Sequence, residues 1–193
     1  MSKVNQFLDA ITARRTIYSL KPSLPEGLSI EDVQKVVQKI VKETPSAFNS
    51  QINRAVILTG QAHKDLWSKV IEGVDGNFAK RPISVRDEAF GTVLFMVNDE
   101  KTSELQGQFP AWASAFNQFA DHSSGAAQIS TWTALELLGL GAHLQHFNGF
   151  VKASASDDIV PKHYSVQAQL VFGAPVEAPQ PKTYIDNEIK VIS

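Results

Sequence analysis

Thr44-Pro45-Ser46-Ala47-Phe48-Asn49-Ser50-Gln51 (TPSAFNSQ) separates two segments of different hydrophobic period, and that change decides how the chain is read. Upstream, Ile30, Val33, Val36, Val37, Ile40 and Val41 recur at helical spacing; Ser29 can cap this helix and Pro45 stops it. Downstream, residues 54–59 (RAVILT) are β-branched and apolar and end at Gly60, the pattern of a buried strand. A helix that passes to a strand through a polar turn belongs to an α/β or α+β chain.

Working outward, Val4, Phe7, Leu8 and Ile11 predict a first helix with one apolar stripe, which hands the chain to Arg14. A helix over residues 63–72 precedes a second buried strand at 92–97 (TVLFMV). Residues 110–121 predict a helix that starts at proline and carries Trp112, Ala113, Phe116 and Phe119. Ser123 or Ser124 can cap another over 125–138, which breaks at Gly139. Residues 165–172 (SVQAQLVF) alternate like a strand with one wet face. Residues 174–182, with Pro175, Pro179 and Pro181, form a stiff surface segment, and 188–192 form a last short strand. That strand has nothing local to pair with, so the arm from about 174 to 193 is expected to reach a partner subunit.

The 193 residues, 43% apolar and 20% charged, suit one domain over 1–193. A formal net charge of -2 without a basic block argues against nucleic acid or an anionic membrane as partner and leaves a small molecule. The absence of cysteine removes disulfides, thiolate metal sites and thiol nucleophiles. The start lacks an apolar leader segment and no apolar run is long enough to span a bilayer, so the expected location is cytoplasmic.

Several groups could carry chemistry. Arg14 and Arg15 beside Thr16 can grip a phosphate dianion, although such a pair also suits a solvated helix end. Ser46, Ala47, Phe48, Asn49 and Gln51 offer a hydroxyl, backbone N–H groups, two amides and an aromatic ring. Those amides match the alternating donors and acceptors of a flavin pyrimidine; the plainer reading is a polar turn with an apolar anchor. Gly139-Leu140-Gly141 follows a helix instead of preceding one, so it is no dinucleotide fingerprint; Gly139 suits a helix C-cap. Glycines here would also let backbone approach a planar ligand. Trp112, Phe116 and Phe119 are either helix packing or a cover over such a ligand, and His122 stands beside them. His143 and His146 do not make a metal motif, and there is no Gly-x-Ser-x-Gly elbow. No metal is expected.

The ordered set RRTIY, TPSAFNSQ, HSSGAAQ, GLGAHLQHFN and FGAP with a later lysine resembles the nitroreductase family of flavoproteins, in its fungal-type subgroup also found in bacteria. The resemblance runs from about Phe7 to Lys182. It implies an α+β nitroreductase-like fold, a central mostly antiparallel sheet surrounded by helices, and an interlocked homodimer. Flavin mononucleotide (FMN) would lie at each of two interface sites. Arg14, Arg15, Thr16 and Lys182 would take its phosphate and ribityl end. Ser46, Ala47, Phe48, Asn49 and Gln51 would line the flavin, some of them from the second subunit. Backbone at Leu140 and Gly141 would face N5, and Trp112, Phe116 and His122 are acceptor-pocket candidates. Tyr18 stands where many members carry a second basic residue. The basic residue that larger branches place near the pyrimidine has only Lys80 and Arg86 as candidates here. The implied activity is hydride transfer from NADH or NADPH to nitroaromatics, quinones or similar acceptors by a ping-pong mechanism, with hydride chemistry on N5 and no catalytic side chain. The alternative is a flavin-binding stress or regulatory protein with incidental reductase activity.

Overall fold

The computed structural model describes residues 2–193. Its first half runs α1 Lys3–Ala13, β1 Leu20–Lys21, α2 Ile30–Glu43, β2 Asn53–Thr59, α3 Gly60–Glu72 and α4 Lys80–Glu88. The second half runs β3 Gly91–Asn98, α5 Asp99–Gln108, α6 Phe116–Leu137, β4 Gly141–Gln145, α7 Asn148–Ser154 and β5 Tyr164–Pro175. Every strand pairing is antiparallel: β3 lies between β2 and β5, and β5 also carries β4 and, at its end, β1. The fold is α+β.

Alternation along β3 and β5 divides the core. Val93, Phe95, Leu170 and Phe172 point to one face, where they meet Val33 and Val37 of α2 and Ala127 and Leu135 of α6. Leu94, Met96 and Val171 point to the other, against Leu66, Trp67 and Val70 of α3, Val85 of α4 and Val151 of α7. Each such side chain fully buried is worth roughly 1.5–3 kcal/mol, so β3, covered on both sides, anchors the molecule. One buried polar set joins α3, β3 and α4. Trp67 Nε1–H donates to Thr92 Oγ1 (3.1 Å), Thr92 Oγ1 lies 3.1 Å from His63 Nδ1, and His63 Nε2 lies 2.9 Å from the Val85 carbonyl. Burial holds His63 below its ordinary pKa, although the Val85 carbonyl opposes this.

The cap signals are realised: Ser29 and Asp32 close a reciprocal capping box. Gly139, at φ +80°, ends α6 in a Schellman turn, with Leu140 N–H to the Leu135 carbonyl (3.0 Å) and Gly139 N–H to the Glu136 carbonyl (2.9 Å).

Other expectations are corrected. Residues 110–121 and 125–138 are not two helices. Pro110–Ala115 is a 3-10 turn, and α6 runs unbroken through Ser123 and Ser124. Ser123 does not cap; its Oγ donates to the Pro45 carbonyl (2.9 Å) and accepts from Asn53 Nδ2, a tertiary use invisible to local pattern. The wet face of β5 is confined to the half-buried Ser165 and Gln167, because Gln169 is buried with its amide satisfied by Phe147 N–H and Asn148 Oδ1 (2.7 Å each). The β2 strand is the outer strand, buried only at Asn53 and Leu58. The apolar stripe of α1 is exposed apart from Ala10. Residues 188–192 form no strand, and Ile189, Val191 and Ile192 are exposed.

Candidate functional site

The connector after α1 is fixed at several points. Ile17 N–H donates to the Ala142 carbonyl of β4 (2.9 Å), and β1 pairs Leu20 with Pro175 and Lys21 with Ala174. This carries Arg14, Arg15 and Thr16 past the C-terminal half of α6. The Arg14 guanidinium lies 4.5 Å from the ring centroid of Trp132. One turn on, Glu136 has its carboxyl pushed up by burial, with Arg14 pulling it the other way. Arg15 donates to the Gln180 carbonyl, tying the connector to the arm two residues before Lys182. Lys182 sits 5.2 Å from the Tyr184 ring. Among the described residues, neither arginine nor Lys182 forms an ion pair within 4 Å. The Trp132 indole N–H is buried without a partner. Two guanidiniums without an ion pair and an exposed Thr16 hydroxyl make a cationic cradle, which fits the phosphate of FMN.

Four residues beyond Arg14, the half-exposed Tyr18 ring has two close neighbours. His143 of β4 lies 5.1 Å away between centroids, tilted by 40°, and the Arg81 guanidinium lies 4.1 Å from the ring centroid. His143 is buried, and burial first, then the nearby Arg81 charge, pulls its pKa down to about 3, so it is neutral. Gln145 Nε2–H donates to its Nδ1 (2.9 Å), leaving the ring proton on Nε2. Arg81 borders a hollow of about 450 Å³ with Asn77, Phe78, Lys80, Ser84, Gln145 and Phe147. Lys80 is thus at this end. Arg86 is not, because Asp87 holds its guanidinium bidentately (2.7 and 2.9 Å). His143 is on a strand, so its spacing to His146 is not that of a helix face.

The TPSAFNSQ loop is elsewhere. Phe48, Asn49 and Gln51 all have positive φ (56°, 49° and 49°), a conformation that costs non-glycine residues about 1–3 kcal/mol each. Its surroundings over-determine it: Gln51 N–H donates to Ser46 Oγ (2.9 Å), and Phe48 packs on Phe109 and Phe116 (4.5 and 5.4 Å). Asn49 and Gln51 are exposed. His122 shares a hollow of about 300 Å³ with Ser46 and Ala47; Trp112 is exposed on the turn before α6, and Phe116 is buried.

Within the chain these are two separate groups. Ser123, which holds the loop, and Trp132, which holds Arg14, are nine residues apart on α6. That is about 14 Å along the axis and half a turn around it. Leu140 and Gly141 belong to the arginine side, where they border a hollow of about 420 Å³ with Ile17, Glu136 and the start of the arm, and not the hollow beside Arg81. Leu140 is buried in the core, and a Cβ on Gly141 would meet Leu20 at 2.9 Å. The part of β4 that reaches the Tyr18–Arg81 hollow is Gln145. Sequence reading gave no site role to Arg81, Gln145 or Trp132 and weighed His143 only as a metal ligand; the local sign for Arg81 was its place beside Lys80.

The chain is 55% identical over 194 residues to HBN1 of Saccharomyces cerevisiae, named as a nitroreductase, with all of both proteins covered. The chain belongs to the nitroreductase family. It is 53% identical to the nitroreductase FRM2 of the same yeast over 99% of each chain. A crystal structure of a nitroreductase from that yeast superposes with TM-score 0.85 at 53% identity, covering 89% of this chain and 96% of that one. The nitroreductase CinD of Lactococcus lactis, in complex with chloramphenicol, superposes with TM-score 0.84 at 34% identity, covering 93% and 95%. A Desulfovibrio desulfuricans protein solved in complex with FMN shares the fold, with TM-score 0.63 at 16% identity over 95% and 97%. No family model matches the chain.

Proposed function

We propose that this nitroreductase-family chain is an FMN-dependent oxidoreductase that works as a homodimer. It would take hydride from NADH or NADPH and deliver it to nitroaromatics, quinones or similar acceptors in alternating half-reactions. The observation that carries this reading is the division of its polar groups. A cationic cradle (Arg14, Arg15, Thr16) and an amide-bearing loop (Asn49, Gln51) stand on different sides of α6, so a second copy is needed to close them on one ligand.

When bound, FMN supplies the two-electron chemistry through N5 of its ring. Arg14, held by Trp132, and Arg15, held by the arm, bind and orient the phosphate, with Lys182 adding charge. The strained loop of the second copy presents the Asn49 and Gln51 amides to the pyrimidine edge, which needs both donors and acceptors. Trp112 and Phe116, with Phe48, would exclude water from the acceptor side and stack planar substrates. His122 borders the same side. No side chain is assigned as a general base.

Surfaces suited to the second copy support this. The outer edge of β2 and α2 border a groove of about 750 Å³ that includes Ile30, Val37, Val41, Ala55 and Ile57. The arm carries exposed Ile185, Ile189, Val191 and Ile192, and α1 exposes Val4, Phe7, Leu8 and Ile11. An arm laid along β2 would extend the sheet and cover the groove. The test is a visible absorbance spectrum of purified protein given FMN, followed by anaerobic NADH and then NADPH. Flavin bands that bleach and return with a nitroaromatic or quinone are expected; protein that takes up no FMN overturns the proposal.

A further inference from the structure

The strained loop is held at its two ends by different means. At the Gln51 end, Arg54 Nη1 donates to the Gln51 and Asn53 carbonyls (2.7 and 2.8 Å), and Asn98 N–H donates to the Ile52 carbonyl (3.1 Å). At the other end Pro45 has no N–H, so its carbonyl is the one main-chain group by which it can be tied. That carbonyl accepts from the buried Ser123 Oγ on α6 (2.9 Å), 78 residues away. Phe48 anchors the middle of the loop by apolar packing, which is non-directional; the direction of the backbone at Pro45 is set by this hydrogen bond.

Hydroxyls on helices, or at their ends, behave otherwise elsewhere in the chain. Thr12, Thr44, Thr102, Ser103 and Thr133 each return the hydroxyl to the carbonyl four residues back, at 2.7–3.0 Å. Ser123 is turned away from that bond by Asn53, whose Nδ2–H fills an acceptor site on Oγ and leaves the hydroxyl proton for Pro45. Asn53 is fixed in turn, because its backbone pairs with Val97 across β2 and β3. Its Oδ1 is buried without a partner. An orphaned acceptor lowers stability, so an apolar side chain of that size would suit the position better if it served packing alone. The N–H held on Ser123 is what the asparagine adds.

We propose that Ser123, aimed by Asn53, is the positioning residue of the 46–51 loop and sets where the Asn49 and Gln51 amides stand before a flavin ring arrives. This rests on the FMN reading above. Without the tether the three residues at positive φ relax towards ordinary backbone, and the amides have to be ordered again at the moment of binding. The tether thus acts on ring recognition and leaves the phosphate end untouched.

The test compares FMN with riboflavin, which has the same ring and no phosphate. Affinity of apo-protein for each is measured by flavin fluorescence, and opening of the loop by amide hydrogen exchange, for wild type, Ser123→Ala and Asn53→Ala. Ser123→Ala is expected to weaken both flavins by the same factor, about tenfold, and to speed exchange at residues 46–51 while β3 stays protected. Asn53→Ala frees the Ser123 hydroxyl to bond the Phe119 carbonyl. It gives a smaller loss, shared equally by both flavins, and carries the test if Ser123→Ala does not fold. A packing role alone would lower stability in urea and leave both affinities and the loop exchange at wild-type values, which overturns the proposal. A loss confined to FMN would put the effect of Ser123 at the phosphate end and overturn it too. Wild-type protein that binds neither flavin would overturn the FMN reading itself, and this inference with it.

Discussion

The two ends of α6 present contrasting half-sites. At its C-terminal half, the Arg14–Tyr18 connector is relaxed, sewn to β4 and β5, and rich in unpaired cations. At its N-terminal half, the Ser46–Gln51 loop is strained at three positions, held by an aromatic cluster, and presents neutral amides. The first has the chemistry to bind charge and the second to recognise a ring edge and shut out water. Because half a turn of helix separates their anchors, the proposed function has each chain supply half of each of two sites, and the dimer is part of that proposal.

The most drastic way to break this contrast is to remove residues 183–193, leaving Lys182 in place. The expected outcome is a protein that is monomeric at micromolar concentration and colourless, since neither half-site would then meet its complement; sedimentation with an absorbance scan reads both. A truncated chain that stays dimeric and yellow would place the interface elsewhere.

A narrower test sharpens the chemical difference. Arg14→Ala should reduce FMN affinity by about a hundredfold, the scale of a lost charge-assisted contact plus its neighbour's misplacement, while riboflavin affinity and the far-UV circular dichroism stay near wild type. Equal losses for both flavins would remove Arg14 from the phosphate end.

The smallest effect separates the electrostatics of the ends. The folded-state pKa of His143 is depressed to about 3 against an ordinary 6.5. Between those values the unfolded chain binds a proton that the folded chain refuses, so the contribution is complete above pH 6.5 and is lost as pH falls towards 3. Urea melts should lose up to about 1.4 kcal/mol per pH unit from this residue within the window, and His143→Leu should flatten that slope. His63, shifted in the same direction by burial, leaves a residual slope. A slope unchanged in the variant would mean that His143 is accessible to protons.

How far sequence reaches differs between these regions for physical reasons. Periodicity found α2 and β3 because their burial is regular, and Ser29, Pro45 and Gly139 marked ends through local backbone chemistry. Arg14, Arg15 and the TPSAFNSQ loop were visible as residue types with matching chemistry. Arg81 was not, because it meets Tyr18, more than sixty residues away in the chain. The same limit split α6 in two. Ser123 looks like a cap until Pro45 and Asn53 are seen to occupy its hydroxyl.

Gly173 gives the connector's attachment a genetic consequence. A methyl group there would stand 2.5 Å from the Lys21 carbonyl, at the point where β1 meets β5. The affected strand pair carries the connector that bears Arg14 to Tyr18. In a screen scored by colour, Gly173→Ala would therefore be classed with the cofactor-site mutants, although residue 173 would touch no cofactor. Its phenotype would respond to suppressors in the β1–β5 pairing and not to added FMN.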